Sequence, residues 1–311
     1  MTYSTAALTA QTTPATSLIT AIEAALTAQG GWTAIETVVI GANTFKVWRC
    51  NGATNGFGTD FFLYLGRATA GTGNVTVRLS EAWDATGKLV LRGCYGGTNT
   101  SVLDSATGSR FGATTYAIDS ANWSATTLTT ATAFTYWIIA TKDALIVQTS
   151  SGTNIVYAGI YADNALVQAQ QPTLRFPLAL ATFAGMSAPA SSLGLTRIPG
   201  ASNGSVNWNT VRGASATDAG VMGLAGSVDS ASLAYPTWGA VVAAPIFLGA
   251  GNMSSSAPTS FSAILGTFKY LYAIGIGAAP VRGDTVTIGA DTYILGSAVS
   301  NVGIAANTAA V

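Results

Sequence analysis

A chain of 311 residues is long enough for two ordinary domains or for one large β-sandwich with an insertion, and 49% apolar content is ample for a sizeable core. Charge is scarce: Asp, Glu, Lys and Arg make up 8% of the residues, against about 25% in an ordinary soluble domain, and they sum to zero. There is no histidine, so Ser-His-Asp and Cys-His chemistry are excluded and the commonest metal ligand is missing.

The few charges are interspersed, and no basic run offers itself to phosphates, so nucleic acid is not an expected direct partner. No stretch of about eighteen apolar residues predicts a membrane span. The opening MTYSTAALTAQTTPATS has no positive region followed by a compact apolar one, so no secretory signal is expected. A surface this poor in charge is weakly protected against association, which suits a subunit covered by neighbours.

The first predicted element is a helix over residues 16–26. Leu18, Ile19, Ile22, Ala25 and Leu26 form one stripe, Thr16 or Ser17 is the expected N-cap, and Gly30-Gly31 ends the helix. From Trp32 the grammar changes to strands. TAIETVVIG (33–41) and NTFKVWRC (43–50) read as a hairpin, and DFFLYLGRA (60–68), apolar on both faces, reads as a central strand. NVTVRLSEAWD (74–84) and KLVLRGCY (88–95) continue the meander. Residues 96–133 are low in complexity and are expected to be loops with one short strand. FTYWIIATK (134–142), DALIVQTS (143–150) and NIVYAGIYAD (154–163) are the clearest strands of the chain. Between 164 and 260 Ala, Ser, Gly and Pro dominate. GTFKYLYAIG (266–275) and the hairpin DTVTIGADTYILG (284–296), with Gly-Ala-Asp at its tip, restore the strand pattern.

The expected fold class is therefore mainly β: an antiparallel β-sandwich or jelly-roll-like fold with an N-terminal amphipathic helix and long loops. Three regions follow: 1–165, helix plus sandwich; 166–265, a loop-rich segment expected to make inter-subunit contacts; and 266–311, a C-terminal hairpin region completing the sandwich.

Few motifs invite chemistry. The loop Gly52–Gly58 is glycine-rich but opens a strand, whereas a phosphate cradle leads into a helix N-terminus. Arg282-Gly283-Asp284 spells an adhesion tripeptide and reads as a turn before a strand. The carboxylates Glu81 and Asp84, Glu23 and Glu36, Asp104 and Asp119 are scattered, with Glu81 and Asp84 placed around a turn near Lys88; none reads as an acid/base pair. Cys50 and Cys94 sit at strand ends and read as two reduced thiols. Trp48 and Trp137 are expected in the core. Trp208, Tyr235, Trp238 and Phe247, in the segment of weak signal, are the interface candidates. No catalytic residue, cofactor, metal or small-molecule substrate is predicted.

Two segments resemble a family of tailed-bacteriophage virion structural proteins. The first joins Tyr136-Trp137-Ile138-Ile139-Ala140, Leu145-Ile146-Val147, Tyr157-Ala158-Gly159-Ile160-Tyr161 and the pair Phe176-Pro177. The second is GDTVTIGADTYILGSAVSN (283–301), similar to the family's closing hairpin. NTFKVWRC with NGFGTDFFLYL is similar to virion proteins that begin with a helix and an aromatic strand. The chain departs from the pattern in the turn after Ala140, where it carries Thr141-Lys142-Asp143, and 178–260 matches nothing in the family. The resemblance implies a non-catalytic virion subunit, made in the host cytoplasm, that assembles with itself and with other virion proteins at the neck or collar, tail or baseplate. The alternative is a receptor- or carbohydrate-binding module of a phage fibre.

Overall fold

The computed structural model describes residues 1–40, 43–68, 70–72, 75–86, 89–93, 100–102, 116–118, 133–150, 155–163, 178–183, 219–223, 242–254, 257–275, 281–299 and 302–308. Within them the chain is mainly β, with one α-helix, α1 (Pro14–Gln29), and every strand pairing antiparallel.

Three sheets organise it. The first has the order β1 (Thr2–Leu8), β9 (Phe134–Ala140), β10 (Ala144–Thr149), β11 (Ile155–Ile160) and β13 (Leu178–Phe183). The second runs β2 (Trp32–Ile40), β3 (Asn43–Cys50), β4 (Phe61–Ala68), β5 (Val75–Asp84), β6 (Leu89–Gly93) and β7 (Thr100–Val102), with β8 (Tyr116–Ile118) on β5. The third runs β14 (Ala219–Gly223), β15 (Val242–Ser254), β16 (Ala257–Gly275), β19 (Val302–Asn307), β18 (Asp291–Val299) and β17 (Thr285–Ile288), with β12 (Ala162–Asp163) on β16.

The hairpins expected at 33–50, 134–160 and 284–296 all form, and β4 lies between β3 and β5 as a central strand should. Strand β1 was not foreseen: TYSTAAL has little of the β-branched and aromatic density of a strand, and its conformation is set by unbroken pairing with β9, from Thr2 opposite Ala140 to Leu8 opposite Phe134. Within the segment read as loop-rich, 166–265, the described residues form β13, β14, β15 and the first half of β16. Phe247 accordingly lies in a strand, opposite Met222 on one side and Thr267 on the other. Glu81 and Asp84 lie at the end of β5, on the hairpin with β6, with Asp84 directly before its turn.

The helix begins earlier than its stripe suggested, and its N-cap is Thr13, not Thr16 or Ser17. Pro14 occupies the first turn, where a missing N–H costs nothing. The Thr13 side chain makes no capping bond. Instead the Gly71 carbonyl accepts from the N–H groups of Ala15 (3.0 Å) and Thr16 (3.4 Å), so a loop distant in sequence caps the helix. Gly30 closes the other end in the left-handed region, at φ 81°.

The stripe of α1 is buried as expected. Ala15, Leu18, Ile22 and Leu26 join Val47, Leu63, Leu65, Val75 and Val77 of the second sheet and Ile138, Leu145, Val147 and Val156 of the first in one core. Trp48 belongs to it, whereas Trp137 is only partly buried. The third sheet has a smaller cluster of its own, built on Ile274, Tyr293, Leu295 and Ala305.

Candidate functional site

The three sheets meet at the turn Thr141-Lys142-Asp143. Its backbone is fixed locally. Thr141 N–H donates to the Ala144 carbonyl (2.8 Å), and Thr141 Oγ1 accepts from Ala144 N–H (2.8 Å). A hydroxyl used in this way replaces the backbone partners that a tight turn lacks.

The second sheet reaches the turn with two donors. The Trp32 indole N–H donates to the Thr141 carbonyl (2.7 Å), and the Cys50 thiol donates to the Lys142 carbonyl (3.1 Å). The glycine-rich loop after β3 supports this contact. Asp60 Oδ1 accepts from Gly52 N–H (2.7 Å), and buried Asn55 donates to the Thr59 carbonyl (2.9 Å) and to the Cys50 sulfur (3.7 Å).

The third sheet reaches the turn through a charge. Asp143 is 1% exposed, and three donors converge on its carboxylate. Lys269 Nζ lies 2.6 Å from Oδ2, while Oδ1 accepts from Thr141 Oγ1 (2.7 Å) and from the Tyr270 hydroxyl (3.3 Å). A buried carboxylate needs both an opposite charge and hydrogen bonds to each oxygen, and this one has them. Beside it the Tyr157 hydroxyl donates to the Ile160 carbonyl, and the Tyr157 and Phe268 rings meet edge-on at 5.2 Å.

Lys269 and Tyr270 are neighbours in β16, and neighbours in a regular strand point to opposite faces. Both reach Asp143 because Tyr270 has φ 66°, left-handed backbone that is rare for an aromatic residue. The pairing with β15 breaks at the same place. Pro245 faces Tyr272 and Phe247 faces Thr267, so two steps along β15 match five along β16.

The two tyrosine hydroxyls here are held in their neutral forms. Burial, reinforced by the negative charge of Asp143, pushes the Tyr270 hydroxyl up to about 12, and the same two causes raise Tyr157 well above the ordinary tyrosine value. Stability linked to Tyr270 is therefore complete below pH 10, its ordinary value, and is lost as pH climbs through 12. Far-ultraviolet circular dichroism across that window should show alkaline unfolding, and Tyr270→Phe should be less sensitive to it than the wild type.

Burial also raises the Cys50 thiol, outweighing the hydrogen bond from Asn55, so it stays protonated and inert. Iodoacetamide at pH 8 should leave Cys50 unlabelled in the folded chain and label it fully in denaturant. Cys50 is a free thiol, as the sequence suggested; Cys94 lies outside the described residues.

A second junction absorbs the adhesion tripeptide. The Arg282 guanidinium donates to the carbonyls of Gly296 (3.0 Å), Thr149 (3.1 Å) and Ser150 (3.2 Å), strapping the third sheet to the first. Gln148 Nε2 donates to the same Gly296 carbonyl (2.7 Å), and Asp284 accepts from Val281 N–H (2.9 Å). Gly283, at φ 88°, lies under Trp137, where a Cβ would come 2.5 Å from the ring.

Two of the scattered carboxylates have partners of their own. Glu23 pairs with Lys46 (3.0 Å) and Glu36 accepts from the Trp83 indole (2.6 Å). Asp104 and Asp119 lie outside the described residues, as do Trp208, Tyr235 and Trp238. Among the described residues no three His, Cys, Asp or Glu side chains gather as metal ligands, and no helix is long and apolar enough to cross a membrane.

The sequence reading singled out neither Asp143 nor Lys269. The available signal is that Lys269 is the first charged residue after Asp229, and a charge ending so long an uncharged run needs a partner. No family model matches the chain, and no curated protein is similar to it.

Proposed function

We propose that the chain is a structural subunit of a tailed-phage particle. In this reading it assembles with copies of itself and with neighbouring virion proteins at the neck or collar, tail or baseplate. Its three sheets pack in a sandwich-like arrangement, and it carries neither catalysis nor a cofactor.

The observation that carries the reading is the character of the edges. Strand β1 is an edge among the described strands and has no charged residue, no proline and no bulge. Strand β2 is an edge as well; its register with β3 shifts between Ala34 and Glu36, yet it exposes Val39 (63%) and Ile35 (38%), and its Glu36 carboxylate turns to Trp83. Free-standing proteins protect such edges with charges, prolines or bulges; a subunit leaves them for neighbours. The polar junctions between sheets fit a load-carrying role, because they fix relative sheet positions and present no paired acid and base to a substrate. Residues 166–265, including Trp208, Tyr235, Trp238 and Phe247, supply further contacts.

Light scattering and negative-stain microscopy of the purified chain, with cosedimentation on virions, test this. Rings, multimers or firm attachment to particles are the expected result. A stable monomer that binds glycans or host cells would replace this reading with a receptor-binding module.

A further inference from the structure

The kink in β16 has three features that belong together. Its backbone is strained at Tyr270, its pairing with β15 slips, and its two side chains Lys269 and Tyr270 are tied to a buried carboxylate on another sheet. Strain of this kind persists only where the surroundings over-determine it.

The slip has a size. Along β15 the pairs Val242↔Gly275 to Pro245↔Tyr272 run in regular register, and a straight continuation would set Phe247 opposite Tyr270. Phe247 instead faces Thr267, three residues further back. Thr267 is also where β12 pairs, through Ala162, so the displaced register is shared by a second strand.

We propose that Asp143 is a latch that holds β16 in its kinked register and keeps three residues of strand length in reserve. Released, β16 closes this slip against β15, and the three residues, shared between the two strands of the hairpin, lengthen it by about 5 Å at the usual rise per residue. The shift is odd, so every residue of the distal half changes face, which makes the two registers distinct states without a continuum between them. Lys269 is the reachable side of the latch, since its side chain is 29% exposed and Asp143 is enclosed. The device does not depend on the assembly reading: it stands on the backbone of β16 and the bonds of Asp143.

Hydrogen exchange by mass spectrometry on the full chain tests it, comparing wild type with Asp143→Asn and Lys269→Met. Amides of 266–271, and of Ala162 and Asp163 opposite them, should exchange roughly tenfold faster in both variants, the factor that the strain of one left-handed residue corresponds to. Exchange in α1, β3 and β4, which follows global stability, should rise less, so the tenfold is the excess at 266–271 over those elements. Tyr270→Gly, which accepts positive φ freely, should return most of the lost protection in the Asp143→Asn background. Unchanged exchange at 266–271 would overturn the latch. So would an acceleration spread equally over α1, β3 and β4, because Asp143 would then hold only global stability. If Asp143→Asn does not fold, Lys269→Met decides alone on the same readout.

Discussion

Asp143→Ala should lower the unfolding free energy by about 3 kcal/mol, the low end of the cost of breaking a buried ion pair. Removing the carboxylate leaves Lys269, Tyr270 and the Thr141 hydroxyl without their acceptor at one stroke. The low end applies because the Lys269 side chain is 29% exposed and recovers part of its hydration. Urea denaturation followed by tryptophan fluorescence measures the loss. A change below about 0.5 kcal/mol, the range of ordinary surface substitutions, would mean that the carboxylate is not the joint between the sheets.

A comparable loss comes from a single methyl group. A Cβ on Gly159 would lie 2.4 Å from the Asp143 carbonyl oxygen and 2.5 Å from Ala144 Cα. Both are backbone atoms of the turn. The carbonyl also accepts from Ile160 N–H at 2.9 Å, so it cannot rotate away without losing that bond. Gly159→Ala should therefore destabilise by about 3 kcal/mol or more, the upper range for overpacking. The control is Gly289→Ala. Its Cβ would meet nothing within 4 Å, so its cost is confined to the left-handed φ of 63° and should stay near 1 kcal/mol. Thermal melts of the two variants side by side separate a steric conflict from a conformational one. Equal shifts would contradict the close approach of β11 to the turn.

What could be read in advance depended on whether the determinant was local. The hairpin of β17 and β18 and the run β9–β10–β11 carry alternating β-branched and aromatic residues between turn residues, and that pattern suffices within a window of ten residues or so. The stripe of α1 was legible for the same reason. Its start was not, because the cap is the Gly71 carbonyl, which no local motif encodes. Strand β1 and the strands of 166–265 are diluted with Ala, Ser, Thr and Gly, so their strand conformation follows from partners more than from propensity.

The site was the least legible part. Asp143 and Lys269 are 126 positions apart, and each looks ordinary in its own segment. The tripeptide Arg282-Gly283-Asp284 shows the converse. It reads as a recognition motif, and its arginine is taken up by three carbonyls of the chain itself.

The pairing of β1 with β9 also sets an order of events during synthesis. Thr2 finds its partner only once Ala140 has been made. At ordinary elongation rates that is on the order of ten seconds later. Until then a strand with no charge and no proline leaves the ribosome with both edges unsatisfied. Its neighbour α1 has already presented the apolar stripe that β9 and β10 help to cover. Contacts this distant in sequence form slowly. Until residue 140 is synthesised, that stripe therefore lacks the cover of β9 and β10.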